Sequence, residues 1–441
     1  MSRSVETITA IATPPGRGGV GIVRVSGPLS LPIAQHILGF TPKPRYAHHA
    51  RFEDIDEGIV LFFPNPYSFT GEDVIEFQGH GGPIVLHQML QRIIALGARM
   101  AAPGEFSQRA FLNNKLDLVQ VEAIADLIAA ESEQAARSAM NSLQGIFSKH
   151  IDDLVNHLIR LRVYIEAAID FPEEEIDFLK DSSVITDAEQ IILELRAILA
   201  NARQGVLLRD GVNVVIIGPP NAGKSSLLNA LSGKDSAIVT PIAGTTRDIL
   251  REHILIDGMP LHIIDTAGLR ETEDVVEQEG VKRARQAITT ADIVLCVFDG
   301  SQPNDIESFI QSITQPIMIL LNKIDLTNRT PCIREEKKYT VVEASVQHNM
   351  GLELLKQTLK QKVGLQSMAE GQFMARQRHI DILQQAALLL THGLQQFKEQ
   401  QAGELFAEDC RRAQEILSGI TGQFTADDLL GEIFSNFCIG K

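Results

Sequence analysis

Residues Gly211–Leu231 read GVNVVIIGPPNAGKSSLLNAL, and no other stretch restricts the fold of this chain so tightly. The β-branched run reads as a buried strand, GPPNAGKSS as a glycine-rich loop and SSLLNAL as the start of a helix. Gly218, Gly223, Lys224 and Ser225 fill the spacing GxxxxGK[ST]. In that context the glycines let backbone N–H groups approach an anion at a helix N-terminus. The spacing therefore predicts a P-loop in an α/β domain. Asn221, Ala222, Gly223, Lys224, Ser225 and Ser226 are expected around a nucleotide's phosphates. The Lys224 ammonium falls on the β- and γ-phosphates and the Ser225 hydroxyl on Mg²⁺.

Three more signals follow. The stretch AGTTRD (Ala243–Asp248) offers Thr246 as a second Mg²⁺ ligand on a switch loop. HIIDTAG (His262–Gly268) is a strand ending in an acid: Asp265 holds Mg²⁺ through water, and Thr266, Ala267 and Gly268 face the γ-phosphate. IMILLNKID ends in Asn322, Lys323 and Asp325. A carboxylate at Asp325 accepts from guanine N1–H and N2–H₂, a pattern adenine lacks, while Lys323 lies over the base. Four motifs in this order predict GTP as the ligand. Where Ras-like enzymes carry a water-positioning Gln, this chain has Leu269, which cannot serve. Asn221, with carbonyls of the loop Thr240–Thr245, is a candidate cage for a monovalent cation; it reads equally well as a turn-former. An acid in EDVVEQEG is a candidate for orienting the water, and reads equally well as a solvated charge.

At 441 residues two or three domains are expected. Residues 1–118 are rich in Gly, Pro and short alternating apolar runs, which predicts an α+β domain with a helix near Ile84–Leu96. From Val119 the texture becomes helical, in VEAIADLIAAESEQAARSAMNSLQG and HIDDLVNHLIRLRVYIEAAIDF, with Phe171-Pro172 stopping the second. Another helix is expected near Ala188–Gly205. Strand and helix alternate over 211–364, and helical texture returns over 365–441. The economical reading is an α-helical domain in two halves, 119–210 and 365–441, with the α/β domain inserted between them.

A net charge of −16 excludes a general nucleic-acid coater and leaves room only for a local basic patch. The four cysteines form no CxxC pair, which argues against a zinc site or a disulfide framework and predicts mostly buried thiols. No apolar run reaches the length of a membrane span, so a cytoplasmic protein is expected.

The flanks carry longer signatures. ATPPGRGGVGIVRVSG (Ala12–Gly27), SFTGEDVIEFQGHGG (Ser68–Gly82), PGEFSQRAFLNNKLDL (Pro103–Leu118), AAIDFPEEEIDF and the terminal FCIGK resemble the MnmE (TrmE) family across essentially the whole chain. The resemblance implies a GTPase that modifies the wobble uridine of tRNA. Its N-terminal domain binds folate and forms a homodimer. With an FAD-containing partner, MnmG, in a heterotetramer, the family adds an aminomethyl or carboxymethylaminomethyl group at carbon 5 of uridine 34. The carbon comes from a 5-formyl- or 5,10-methylene-tetrahydrofolate donor, and the flavin belongs to the partner.

By the same resemblance Arg24, Glu76, Lys115 and Lys441 bind folate. A cation there suits the glutamate tail and a carboxylate suits the donor edge of the pterin; an ordinary Arg24–Glu76 ion pair is the plainer reading. Asn221, Thr240, Ile242 and Thr245 ligate K⁺, Pro241, Ala243 and Gly244 complete that loop at the nucleotide, and Glu277 orients the water as a catalytic residue with Lys224 and Asn221. Cys438 lies near the folate or is simply buried. The family's Ser-Ala-Lys/Arg loop behind the guanine is here Ser345-Val346-Gln347, with the Val346 N–H in place to meet the base. A ribosome-assembly GTPase binding rRNA is the alternative; the folate-like N-terminal block speaks against it.

Overall fold

The computed structural model describes residues 6–170, 182–232, 251–256, 258–265, 287–364, 371–400 and 402–422, with 433, 437 and 440. The chain forms two compact units: Met1–Ala125 with Ile151–Asn156 and Arg411–Lys441, and Asp126–His150 with His157–Cys410.

The first unit is built on a six-stranded sheet of β1 (Ile8–Ile11), β2 (Gly18–Ser26), β3 (His48–Phe52), β4 (Asp56–Phe63), β5 (Val74–Gly81) and β6 (Arg99–Met100), ordered β3-β4-β5-β2-β1-β6. All neighbours are antiparallel except β1 and β6. Alternation along β2 and β5 sends Val23, Val25, Ile75 and Phe77 to one face, where they pack with Ile33, Ile37, Met89 and Ile93 of the helices Ser30–Leu38 and Pro83–Ala95. Pro83 opens the second of these helices, the position at which a missing N–H costs nothing. The opposite face carries Arg24, paired in register with Glu76, which itself faces Leu61.

The second unit holds a seven-stranded sheet: β7 (Val212–Ile217), β8 (Arg251–Ile256), β9 (Met259–Asp265), β10 (Ile293–Asp299), β11 (Ile317–Asn322), β12 (Cys332–Glu335) and β13 (Tyr339–Glu343), ordered β12-β13-β11-β10-β7-β9-β8. The five central strands are parallel and only the edge strands β8 and β12 run against them. Both faces are apolar: Val214 and Ile216 enter one core cluster, Val215 and Ile217 another. That double burial explains why the sequence shows unbroken rather than alternating apolar runs here. The carboxyl ends of β7, β9, β10, β11 and β13 share one sheet edge, the usual ligand side of such a fold.

Helices Leu118–Ala129 and Glu133–Leu143 divide the stretch that periodicity reads as one long helix. Ser132 makes the break: its Oγ accepts the Ala135 N–H at 3.1 Å, capping the second helix. The helix Ile146–Asp170 covers the second helical stretch, with the expected stop at Phe171-Pro172 outside the described residues, and Ser182–Asp210 extends the helix expected near Ala188–Gly205 at both ends. No helix among the described residues is long and apolar enough to cross a membrane.

Candidate functional site

β7 runs into Gly218, whose φ of 152° and closeness to β10 both demand glycine. A Cβ there would stand 2.1 Å from the Val297 carbonyl oxygen. The loop then passes through Asn221 at φ 61° and Gly223 at φ 100°, and the helix Lys224–Leu231 follows. Gly223 precedes this helix, so its N-cap position supplies no side-chain hydrogen bond, and a helix N-terminus of this kind is where an anion is favoured. Lys224 Nζ donates to the carbonyls of Gly218 at 2.8 Å and Pro219 at 2.9 Å. The ammonium is thus held across the mouth of the loop. Asn221, Ser225 and Ser226 are exposed beside it.

Asn322, the last residue of β11, joins this loop to the loop after β13. Its buried Nδ2 donates to the Ala222 carbonyl at 2.9 Å, and its Oδ1 accepts the Val346 N–H at 3.0 Å. The same amide explains Gly223, where a Cβ would lie 2.2 Å from Nδ2. Lys323 follows at φ 65° and donates to Asp299 Oδ2 at 2.7 Å. Burial raises the Asp299 carboxyl, but hydrogen bonds from Lys323 and from Ser301 outweigh it and hold the group below the usual range. Asp325 Oδ1 is buried with no hydrogen-bond partner among the described residues, and so is Ser345 Oγ. An orphaned buried carboxylate oxygen is costly; it fits a donor supplied by a ligand. Its other oxygen lies 3.7 Å from His348 Nε2.

The structure brings together Asn221, Ala222, Gly223, Lys224, Ser225, Ser226, Asn322, Lys323, Asp325, Ser345 and Val346 along the carboxyl edge of the sheet. Register sets Asp265 opposite Ile216, at the end of β9. Thr240, Pro241, Ile242, Ala243, Gly244, Thr245, Thr246, Thr266, Ala267, Gly268, Glu277, Cys438 and Lys441 lie outside the described residues. Sequence reasoning missed Asp299, although a strand ending VFDG at the same edge was its signal, and gave Asn322 no bracing role.

In the first unit Arg24 and Glu76 form an ion pair at 2.9 Å, partly buried, with Gln78 Nε2 donating to Glu76 Oε2 at 3.2 Å. The Arg24 guanidinium lies 5.6 Å from the Phe69 ring centroid and 5.7 Å from that of Phe106, and its Nη1 approaches the Gly440 carbonyl at 3.5 Å. Gly440 packs on β1 so closely that a Cβ would meet the Ile11 carbonyl at 2.3 Å. Gly440 therefore lies beside Arg24. Lys115 is farther along, donating to the Pro66 carbonyl at 3.0 Å. On the same face, where Ser26 Oγ donates to Glu72 at 2.7 Å, Arg109 bridges Glu72 at 2.9 Å and Glu105 at 2.9 Å, and Arg99 reaches Glu105 at 2.7 Å. Burial raises the Glu105 carboxyl, but Arg99, the Ala102 N–H and Arg109 together bring it down to about 2. Cys296 and Cys410 are pushed up to about 12 by burial, which makes them inert packing thiols.

Two family models match the chain: the GTP-binding protein TrmE N-terminus over residues 7–115 and the MnmE helical domain over residues 118–438. A tRNA modification GTPase MnmE of Hydrogenovibrio crunogenus is 57% identical, covering 99% of this chain and 99% of its own length. One of Proteus mirabilis is also 57% identical, covering 99% and 100%. Among solved structures, the FeoB G-domain from Methanococcus jannaschii matches 34% of this chain and 97% of its own, at 20% identity and a TM-score of 0.26.

Proposed function

We propose, from the premise that this chain belongs to the MnmE family of tRNA modification GTPases, that its two units divide a single task. It is a GTP hydrolase that takes part in tRNA modification. In our reading residues 211–364 form the inserted G domain, 119–210 and 365–441 the helical domain, and 1–118 the folate-binding and dimerising domain. GTP binds along the carboxyl edge of the second unit's sheet. Lys224 and the amides of that helix N-terminus take the phosphates, and Asp325 takes the guanine donor edge. The carrying observation is the Asn322 bracket, which fixes the phosphate loop and the Val346 amide to one buried side chain beside the orphaned Asp325 oxygen.

Ser225, with Thr246 and Asp265, would hold Mg²⁺, which neutralises charge developing on the phosphates. Asn221, with Thr240, Ile242 and Thr245, would hold K⁺, and Glu277 would orient the attacking water. In the first unit Arg24, Glu76, Lys115 and Lys441 would bind the tetrahydrofolate one-carbon donor. An FAD-containing partner joins the homodimer to modify carbon 5 of the wobble uridine.

Calorimetry with GTP and ATP tests the base assignment: GTP alone should bind, and equal affinity for both would remove Asp325 from its role. Turnover should fall sharply when Na⁺ replaces K⁺, and equal rates would dismiss the cation cage. Nucleoside mass spectrometry of tRNA from a deletion strain tests the larger claim, since unchanged wobble uridines refute it and leave the GTPase intact.

A further inference from the structure

Residues 41–51 read TPKPRYAHHAR, with three fixed cations, two histidines and no Asp or Glu, in a chain of net charge −16. The segment leads into β3, the edge strand of the first unit's sheet. Tyr46 is 59% exposed and Tyr67, on the neighbouring loop, 70% exposed. One exposed aromatic ring is ordinary; two that share Arg45, next to Tyr46 in the chain and against the Tyr67 ring, are not. Arg45 Nη2 donates to the Tyr67 carbonyl at 2.6 Å, and its guanidinium lies 5.8 Å from the Tyr67 ring centroid. The Lys115 ammonium donates to the carbonyl of Pro66, the residue next to Tyr67, at 3.0 Å. On the other side the Tyr46 and His48 rings stand 4.7 Å apart, and His48 Nε2 accepts the Lys43 N–H at 2.8 Å. Arg45 is held at φ 55°, unusual for a residue with a side chain, by its N–H to the Phe62 carbonyl at 2.8 Å.

Of the acids near this edge, Glu57 lies opposite Arg51 in the β3–β4 register, and two others are engaged away from Lys43 and Arg45. Arg92 takes Glu53 through two hydrogen bonds, at 2.8 Å and 2.6 Å, and Asp73 Oδ1 accepts the Asn65 N–H at 2.9 Å. Flat rings for bases and unshared cations for phosphates are what single-stranded RNA requires. Protein partners also favour Tyr and Arg, but the absence of acids across eleven residues of an acidic chain fits a polyanion better.

We propose that this edge is the docking platform for the single-stranded anticodon loop of tRNA, with Tyr46 and Tyr67 stacking on bases and Lys43 and Arg45 meeting phosphates. The proposal rests on the folate reading in one respect: Lys115 belongs to both, so the platform would adjoin the one-carbon donor that a wobble uridine must reach.

The test is fluorescence anisotropy of the full-length protein with a labelled anticodon stem-loop carrying an unmodified wobble uridine. Tyr67→Ala and Tyr46→Ala should each weaken binding about 5- to 100-fold, and Tyr67→Phe should restore it, because stacking needs the ring and not the hydroxyl. Lys43→Gln should lower the slope of log affinity against log salt by about 1. Affinities for GTP and 5-formyltetrahydrofolate should stay at wild-type values in all of them. Unchanged RNA affinity in the alanine variants overturns the platform, as does a wild-type protein that does not bind the stem-loop. So does a shift from dimer to monomer in light scattering, which would make the edge an interface between copies. Ultraviolet crosslinking of the unsubstituted complex reads the same contact independently: adducts within residues 40–67 support it, and adducts only elsewhere refute it. If the tyrosine variants lose RNA while the wild type ignores 5-formyltetrahydrofolate, the folate reading fails and the platform stands.

Discussion

At the nucleotide site of the second unit each functional side chain sits in a short contiguous motif at or just past the end of a parallel strand, and Asn322 then ties two of these motifs together across 100 residues. On the sheet face of the first unit, Arg24 and Glu76 come from strands 52 residues apart and meet only through antiparallel register. The first arrangement relies on backbone: carbonyls hold Lys224, an amide holds Asn322, and Gly223 gives way to Asn322. The second relies on charge: Arg24 with Glu76, and on the same face Arg99, Arg109, Glu72 and Glu105. A site held mostly by main-chain groups, with the Asp299–Lys323 pair as its acid-sensitive contact, loses less in moderate acid than one braced throughout by ion pairs. The two units should therefore come apart under different stresses.

Acid gives the largest separation. The Glu105 carboxyl lies at about 2 in the folded protein against an ordinary 4.5. A carboxyl lowered on folding contributes stability that is complete above its unfolded value and is lost as pH falls through the folded one. About 3 kcal/mol should therefore disappear from the first unit between pH 4.5 and about 2. Hydrogen exchange of β1 and β5, compared with β7 and β11, should show the first pair deprotecting earlier as pH drops. Glu105→Gln should flatten that dependence, although it weakens the unit at neutral pH by leaving Arg99 and Arg109 short of a partner. Simultaneous deprotection of both sheets would mean that their stabilities do not differ in origin.

Next in size is Lys224→Ala. Removing one charge-assisted contact to phosphate costs up to about 3 kcal/mol, so GTP affinity should fall about 100-fold. Binding of 5-formyltetrahydrofolate should not move. Asn322→Ala should be smaller in affinity but visible in stability. It deletes two buried hydrogen bonds and strands the Ala222 carbonyl and the Val346 N–H, at roughly 2 kcal/mol. Urea unfolding followed by loss of bound nucleotide would record both. A variant that bound GTP normally and unfolded at the wild-type midpoint would show that the bracket is incidental.

The same contrast explains what the sequence made legible. Gly218 to Lys224 and Asn322 to Asp325 are contiguous, and their chemistry follows from spacing alone. The strand before them is equally plain, because burial on both faces leaves an unbroken apolar run. The helix Pro83–Ala95 was readable from its periodicity. The division at Ser132 was not, since apolar spacing continues through it and only a cap marks the break. The Asp299–Lys323 contact was hidden for a different reason: two strands of one sheet had to be placed side by side before their last residues could meet. Arg24 with Glu76 is the extreme case. Nothing local marks either residue, and a family resemblance supplied what register alone could have derived.

That pair also carries the smallest and most discriminating test. Arg24 and Glu76 satisfy one another, and their side chains are 21% and 14% exposed, so a purely structural role is coherent. Such a pair contributes modestly to stability. If it also meets the folate, Arg24→Ala should weaken 5-formyltetrahydrofolate by about 10-fold, the size of one charged hydrogen bond, while GTP affinity stays fixed. The exchange Arg24→Glu with Glu76→Arg separates the two roles. It rebuilds the ion pair and should recover the melting temperature, yet it presents each charge to the ligand from the wrong strand and should leave the folate unbound. Recovery of both would make the pair a ligand site indifferent to orientation. A fall in melting temperature with folate affinity untouched would return Arg24 and Glu76 to the scaffold, and the cofactor would have to be sought elsewhere.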